Sequence, residues 1–206
     1  MLRSKKELEL EVQKVPLYQK PKVELEQYVT DASIVAELVW LAYMRQEVTD
    51  SRVLDLGCGT GRFSIAAALA GALQVVCLDI DTDAIAQVRD YVKQIGLDTI
   101  IDLVVSDATR PPLRPVFDVA FQNPPFGIQS RRGIDIDFLR SATELSRIVY
   151  TIHKAETRDY VLRKLQEMGC TADVVGVRII NIPPMYRHHY KRLHKVSVVL
   201  IRASRS

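Results

Sequence analysis

A seven-residue turn constrains the fold of this chain more than any other feature. The short strand-like run Arg52-Val53-Leu54-Asp55 leads into Asp55-Leu56-Gly57-Cys58-Gly59-Thr60-Gly61, and residues 61–69 behind it have helical composition. Glycine lets a backbone turn sharply and approach a ligand where a Cβ would collide. A strand that breaks on glycines and enters a helix at once is the opening unit of an open α/β sheet, whose ligands sit beyond the carboxyl ends of the strands. The spacing here is G-x-G-x-G. It misses the G-x-G-x-x-G that seats a dinucleotide pyrophosphate, and it lacks the lysine of a phosphate loop. The acid ahead of the glycines would also repel a pyrophosphate.

The remainder alternates in the same way. Gln74-Val75-Val76-Cys77-Leu78-Asp79 reads as a second strand, residues 99–105 as a third and 117–121 as a fourth, with a helix over 82–95 that Gly96 ends. Near-continuous apolar strands separated by helices mean a parallel sheet covered on both faces. Downstream the pattern predicts helices at 137–146 and 156–168, strands at 148–152, 172–182 and 195–203, and a loop between the last two that is too long for a tight hairpin. Helices at 5–13 and 32–46 precede the sheet. The expectation is one α/β domain, residues 1–206. Residues 1–50 form a helical extension, and 51–206 a Rossmann-like core: an open, mostly parallel seven-stranded sheet with helices on both faces.

At 48% hydrophobic and 26% charged over 206 residues, the composition excludes a disordered chain or a disulfide scaffold. The longest apolar run, residues 65–73, is nine residues with Gly71 inside it, against about 20 for a membrane span. The start is charged and leads into no apolar signal region. Cys58, Cys77 and Cys170 make no CxxC and no paired framework, which points to a reducing interior. A soluble cytoplasmic protein without membrane contact is expected.

A carboxylate beside the glycine turn suits a cationic ligand. S-adenosylmethionine carries a sulfonium and an ammonium that Asp55 can hold directly or through water. Asp79, ending the second strand, can accept both ribose hydroxyls, and Asp107, in Ser106-Asp107-Ala108 past the third, can take the adenine amino group. All three stand at carboxyl ends of parallel strands, whereas Asp81 or Asp83 is expected to cap the next helix. With Gly57, Gly59 and Gly61 they make S-adenosylmethionine the expected cofactor. The chain here resembles the class I methyltransferases, whose first motif reads as Asp55 to Gly61 does.

The fourth strand ends in Gln122-Asn123-Pro124-Pro125-Phe126-Gly127. Two prolines fix φ and remove two backbone donors, leaving a stiff loop with bare carbonyls. A planar amine there can donate to the Asn123 amide oxygen and the Pro124 backbone oxygen, which turns its lone pair toward the sulfonium methyl. Phe126 offers a stacking face, worth roughly 1–3 kcal/mol per base. The expected chemistry is in-line displacement by the amine nitrogen, with S-adenosylhomocysteine leaving and the proton shed afterwards. Alignment supplies most of the acceleration, and no metal or strong base is required.

Further stretches are more particular: Lys20-Pro21-Lys22-Val23-Glu24-Leu25-Glu26-Gln27-Tyr28-Val29-Thr30, then Gly133, Asp135, Phe138 and Leu139 after the Asn-Pro-Pro-Phe loop, then Tyr150-Thr151-Ile152-His153-Lys154 with Thr157-Arg158. With that loop they resemble the methyltransferase-like protein 5 family of small-subunit ribosomal RNA N6-adenine methyltransferases and its archaeal relatives, over nearly the whole chain. The resemblance implies that Gln27, Tyr28 and Thr30 close over the methionine end of the cofactor, that Asp55, Gly57, Asp79 and Asp107 contact it, and that Asn123 to Phe126 form the adenine site. Val29, Thr60 and Arg62 depart from the family pattern. Guanine-N2 methylation of RNA uses a similar loop and stays open, as do protein glutamine methylation and a non-catalytic cofactor-binding scaffold.

Charge adds a partner. Seven of the 28 basic residues lie from Arg178 onward, where there is no acid at all, so all 25 acids fall in the rest of the chain. The run Pro183 to Lys195 interleaves aromatics with Arg187, His188, Lys191 and Arg192, a pattern that holds phosphates and stacks on unpaired bases. His188, His189 and His194 lack the spacing and the cysteines of a zinc site, so no metal is expected. His153 and Lys154, read as following a strand on the ligand side, are candidate RNA contacts. The resemblance also implies the strand order 3-2-1-4-5-7-6, which leaves Thr99-Ile100-Ile101-Asp102-Leu103-Val104-Val105 at an unprotected edge. It further implies that a small zinc-binding activator protein docks there.

Overall fold

The computed structural model describes residues 3–182 and 194–205. Two helices come first, α1 (Lys5–Gln13) and α2 (Ala32–Met44). The alternating core follows: β1 (Arg52–Leu56), α3 (Arg62–Leu69), β2 (Gln74–Asp79), α4 (Thr82–Gln94), β3 (Ile101–Val105) and β4 (Phe117–Gln122). It continues through α5 (Ile134–Leu145), β5 (Ser146–Lys154), α6 (Arg158–Glu167), β6 (Cys170–Ile182) and β7 (His194–Arg205). The seven strands form one sheet in the order β3-β2-β1-β4-β5-β7-β6. Strands β1 to β5 run parallel, and β7 enters antiparallel between β5 and β6. Fold class and strand order are as the sequence indicates.

Alternation along the strands sorts side chains to the two faces. Val53, Val75, Cys77, Val119 and Phe121 meet Leu8 and Val12 of α1, Val35 and Val39 of α2, Ala66 and Ala67 of α3 and Val88 of α4. Leu54, Leu56, Leu78, Val149 and Ile201 meet Leu139 and Ala142 of α5 and Val161 and Leu165 of α6. The N-terminal helices therefore belong to the core. A buried pair stitches their far end to the sheet, where Glu47 accepts from the Tyr150 hydroxyl at 2.5 Å and from Arg202 at 2.6 Å.

Several boundaries move. Helix α2 stops at Met44 because Gln46 turns left-handed (φ 58°). The third strand begins at Ile101, since Ile100 and Ile101 still donate to Leu97 in the preceding turn. Helix α5 starts three residues early, directly after Gly133. His153 and Lys154 are the last residues of β5, paired with Val199 and Val198, and do not follow the strand. Among the described residues no helix is long and apolar enough to cross a membrane.

The cysteine expectation is overturned. Cys58, in the turn after β1, and Cys77, in β2, form a disulfide across 19 positions, because parallel register sets Asp55 opposite Cys77. Cys170 is free and buried. The cysteine argument for a reducing compartment falls with this pairing. Closing such a loop is worth about 3 kcal/mol, so Cys58→Ser should lower the melting temperature by about 6–12 °C. Non-reducing peptide mapping should recover the crosslink, and a melting point indifferent to reductant would contradict it.

Candidate active site

A cavity of about 230 Å³ opens at the carboxyl ends of the central strands. There the chain leaves β1 toward β2 on one side and β4 lies on the other, the reversal at which open α/β sheets bind ligands. The glycine turn forms its floor, Asp79, Ile80 and Asp107 one wall, and Asn123 and Pro125 the opposite wall. The segment joining α1 to α2 roofs it with Tyr18 and residues 24–30.

The turn is set by hydrogen bonds to β2. Gly57 and Cys58 donate to the Leu78 carbonyl at 2.8 and 2.9 Å, and Gly59 donates to Asp79 Oδ2 at 2.8 Å. Gly57 and Gly59 have φ of 75° and 53°, in the left-handed region where side chains are strained. A Cβ on Gly57 would lie 2.7 Å from the Phe138 ring, and one on Gly59 would lie 2.1 Å from the Tyr18 hydroxyl. Glycine is thus required by conformation and by space together.

Of the expected cofactor residues, Gly57, Gly59, Asp79, Asp107, Gln27, Tyr28 and Thr30 line the cavity, and Asp55 and Gly61 do not. Asp55 is 1% exposed and accepts from the Ser64 N–H at 2.8 Å and its hydroxyl at 2.6 Å. It braces the first turn of α3 from beneath. Burial pushes its carboxyl up to about 7, against the Ser64 hydrogen bonds, with the nearby Asp79 adding to the rise. Gly61 faces Val88 and lets α3 and α4 pack. Burial also raises the Asp79 carboxyl, opposed by its bonds from Asp81 and Gly59. Asp107 is exposed and accepts from Thr109 N–H at 2.8 Å. Asp81 caps α4 as expected, accepting from Asp83 N–H at 3.0 Å. Gln27 is spent within the protein, its amide donating to Asp81 at 2.7 Å and accepting from Lys22 N–H at 2.8 Å.

The Asn-Pro-Pro-Phe loop meets this roof directly. Asn123 Nδ2 donates to Thr30 Oγ1 at 3.0 Å. That leaves Asn123 Oδ1 buried with no donor among the described residues, and the Tyr28 hydroxyl is buried in the same state. Burial, and then the Glu26 carboxylate, hold that hydroxyl well above the usual phenol range. Pro124 is buried and Pro125 is on the wall. The Phe126 ring packs against Tyr28 with centroids 5.5 Å apart, and Lys154 Nζ stands 5.9 Å from its centre.

His153 is not a surface contact. It is 1% exposed, with Nε2 2.9 Å from Thr151 Oγ1 and Nδ1 3.4 Å from Asp135 Oδ2. Thr151 also accepts from the Gln122 amide at 3.1 Å, so its hydroxyl links the residue before Asn123 to the imidazole. The histidine braces α5 and the residue before Asn123, and cannot reach an RNA. Arg187, His188, Lys191 and Arg192 lie outside the described residues. Asp55, Cys58 and Cys77 converge, yet the sulfurs are bonded to each other and the carboxylate is held by Ser64, so no open ligand set results. Tyr18, Glu26, Ile80 and Phe138 were not expected at the site.

A parallel sheet broken at its reversal point by a glycine turn, with an Asn-Pro-Pro-Phe loop across the cavity, defines a class I methyltransferase with S-adenosylmethionine as cofactor. The methyltransferase small domain family matches residues 35–147. The rRNA N(6)-adenosine-methyltransferase METTL5 of Danio rerio is 34% identical over 96% of this chain and 97% of its own length. A crystal structure from Pyrococcus horikoshii, provisionally described as an RNA methyltransferase, superposes with a TM-score of 0.90 at 33% identity, covering 100% of this chain and 99% of that one. A magnesium protoporphyrin IX methyltransferase from Synechocystis, solved with the cofactor bound, shares the fold at a TM-score of 0.64 and 16% identity, over 84% of this chain and 78% of its own. The chain belongs to the methyltransferase-like protein 5 family.

The buried acid under the turn gives the protein a pH signature. The carboxyl of Asp55 is near 3.8 when unperturbed and about 7 in the fold, so between those values the folded state binds more protons than the unfolded one. Stability from this group therefore falls as pH rises from about 4 to about 7. Asp55→Asn should gain melting temperature relative to the parent at pH 8 and lose that advantage at pH 5. Equal differences at both pH values would show that Asp55 is not a buried acid.

Proposed function

We propose that this chain transfers a methyl group to the N6 amine of an adenosine in small-subunit ribosomal RNA. The observation that carries this reading is Asn123 Oδ1: its amide is fixed through Thr30, and its oxygen is buried and open. A buried acceptor without a donor costs about 1–3 kcal/mol, and an exocyclic amine satisfies it. The second amine proton goes to the Pro124 carbonyl, which accepts no backbone hydrogen bond among the described residues, the Phe126 N–H being given to Glu26. Phe126 supplies the stacking face. The adenosine activity named for the Danio rerio relative supports adenosine over guanosine. Duplex RNA hides its adenine amine, so the target is single-stranded or flipped out of its stack.

S-adenosylmethionine, when bound, supplies a methyl group on a positively charged sulfur. Tyr28, Thr30, Gly57, Gly59, Asp79 and Asp107 would hold it, with Asp79 facing the ribose and Asp107 the adenine amine. Lys154 beside Phe126 and the basic residues Arg187, His188, Lys191 and Arg192 would take RNA phosphates or bases. A ribosomal substrate supports the cytoplasm as the site of this work.

Among the described residues strand β3 pairs only with β2, and Val105 is 51% exposed there. A free strand edge recruits another chain's strand, and the family resemblance supports a small zinc-binding activator as that chain. Val105→Glu should weaken co-purification with such an activator at least tenfold without moving the melting temperature. Undiminished binding would remove the edge from the interface.

Methyl-labelled cofactor incubated with unmodified small-subunit RNA should give N6-methyladenosine on nucleoside digestion. N2-methylguanosine or label on protein alone would overturn the assignment. Asn123→Ala should lower turnover at least tenfold, equivalent to about 1.4 kcal/mol, with cofactor affinity within about threefold. Greater residual activity would remove Asn123 from the reaction.

A further inference from the structure

Glu26 carries a carboxylate that is 4% exposed and entirely consumed by the loop after Pro125. Its Oε2 accepts from the Phe126 N–H at 2.7 Å. Its Oε1 accepts from the N–H groups of Ile128, Gln129 and Ser130 at 2.7, 2.8 and 3.0 Å, and from the Ser130 hydroxyl at 2.7 Å. No Lys, Arg or His pairs with it among the described residues, so four backbone N–H groups and one hydroxyl hold this anion. Burial pushes the carboxyl up, yet the bonds from Ser130, Gln129 and Phe126 outweigh it and keep it below the usual range. Glu26 also has a left-handed backbone, φ 51°, uncommon for a residue with a side chain. Convergent N–H groups of this kind form an anion nest, and here the roof of the cavity fills it.

The same roof grips the loop at two further points, Tyr28 against Phe126 and Thr30 on Asn123. It is itself fastened to the cofactor side, through Gln27 on Asp81 at 2.7 Å and Arg62 on the Thr30 carbonyl at 2.7 Å.

We propose that Glu26 is a positioning residue that holds the Asn-Pro-Pro-Phe loop in its receiving shape and makes that shape depend on the roof seated over the cofactor cavity. The inference rests on the substrate reading above for its kinetic consequence, but not for its structural one. Residues 26–30 and 123–130 then move as one piece, and occupancy of the cavity is coupled to affinity for the base.

The test uses the full chain. In Glu26→Ala, amide exchange at Phe126, Ile128, Gln129 and Ser130 should accelerate while the sheet stays protected. The kcat should drop about tenfold or more, with cofactor Kd shifted less than about threefold. Acetate, filling the vacated nest, should restore part of the kcat in this variant and none in Asn123→Ala. S-adenosylhomocysteine should tighten binding of a target RNA fragment about fivefold in the parent and leave Glu26→Ala unaffected. Should the alanine variant fail to fold, Glu26→Gln, of the same shape but with an N–H₂ facing donors, carries the same expectations of faster exchange and lower kcat. Unchanged exchange, a kcat within twofold of the parent, or equal tightening in both proteins would overturn the proposal. A parent enzyme that leaves RNA unlabelled would sink the substrate reading, while the exchange data would still judge Glu26.

Discussion

One hydrogen bond, from the Gly59 N–H to the Asp79 carboxylate at 2.8 Å, fixes what the rest of the site is built on. It joins the turn after β1 to the end of β2 and so decides where α3 starts and how the cavity floor lies. A charge-assisted bond of this kind is roughly twice as strong as a neutral one, and the bare glycines on either side of Cys58 let Tyr18 and Phe138 close to contact distance. The floor is therefore a backbone surface, bounded by side chains from α5 and from the segment before α2. Any side chain added at Gly57 or Gly59 has to displace an aromatic ring that also shapes the wall.

The second structural layer is polar and long-range. Glu26, Thr30 and Gln27 bind residues about 50 to 100 positions away, through groups that are buried or half-buried. Buried polar groups of this sort raise the cost of any imperfect arrangement, so they select one geometry for the roof and the loop. The Gln122–Thr151–His153–Asp135 chain performs a related service from below. Asn123 is thus held from the strand side and from the roof side, with only its amide oxygen left free.

Whereas the strand order came from the resemblance to the fold family, the sheet and the place of the cavity were legible because apolar runs, glycine stops and the turn at Asp55 to Gly61 are local signals. The capping role of Asp81 was legible for the same reason. What sequence could not show was direction and distance. Asp55 reads as a ligand because it stands at a strand end, yet the pleat turns it under the turn, where Ser64 takes it. His153 reads as a surface contact because the expected strand ends two residues too soon, and burial along β5 gives it Thr151 and Asp135 as partners. Cys58 and Cys77 looked unrelated at 19 positions apart, although a parallel crossover sets its two strands side by side. Glu26 lies inside a segment the family shares, and nothing local in that segment shows that its partners are the N–H groups of Phe126, Ile128, Gln129 and Ser130 and the Ser130 hydroxyl.

The placement of β7 has a consequence for how the chain is made. Strand β5 is synthesised well ahead of its antiparallel neighbour β7, and β6 comes between them in sequence while lying outside both in space. A nascent chain that has completed β6 still has the edge of β5 that faces away from β4 unpaired, and unpaired apolar strand edges are where growing chains associate wrongly. The β6–β7 hairpin must then insert as a unit, with its middle strand arriving last. Ribosomal pausing or truncation inside that hairpin would therefore leave β1 to β5 paired beside an open strand edge, which marks the synthesis of β6 and β7 as an interval in which this protein needs protection.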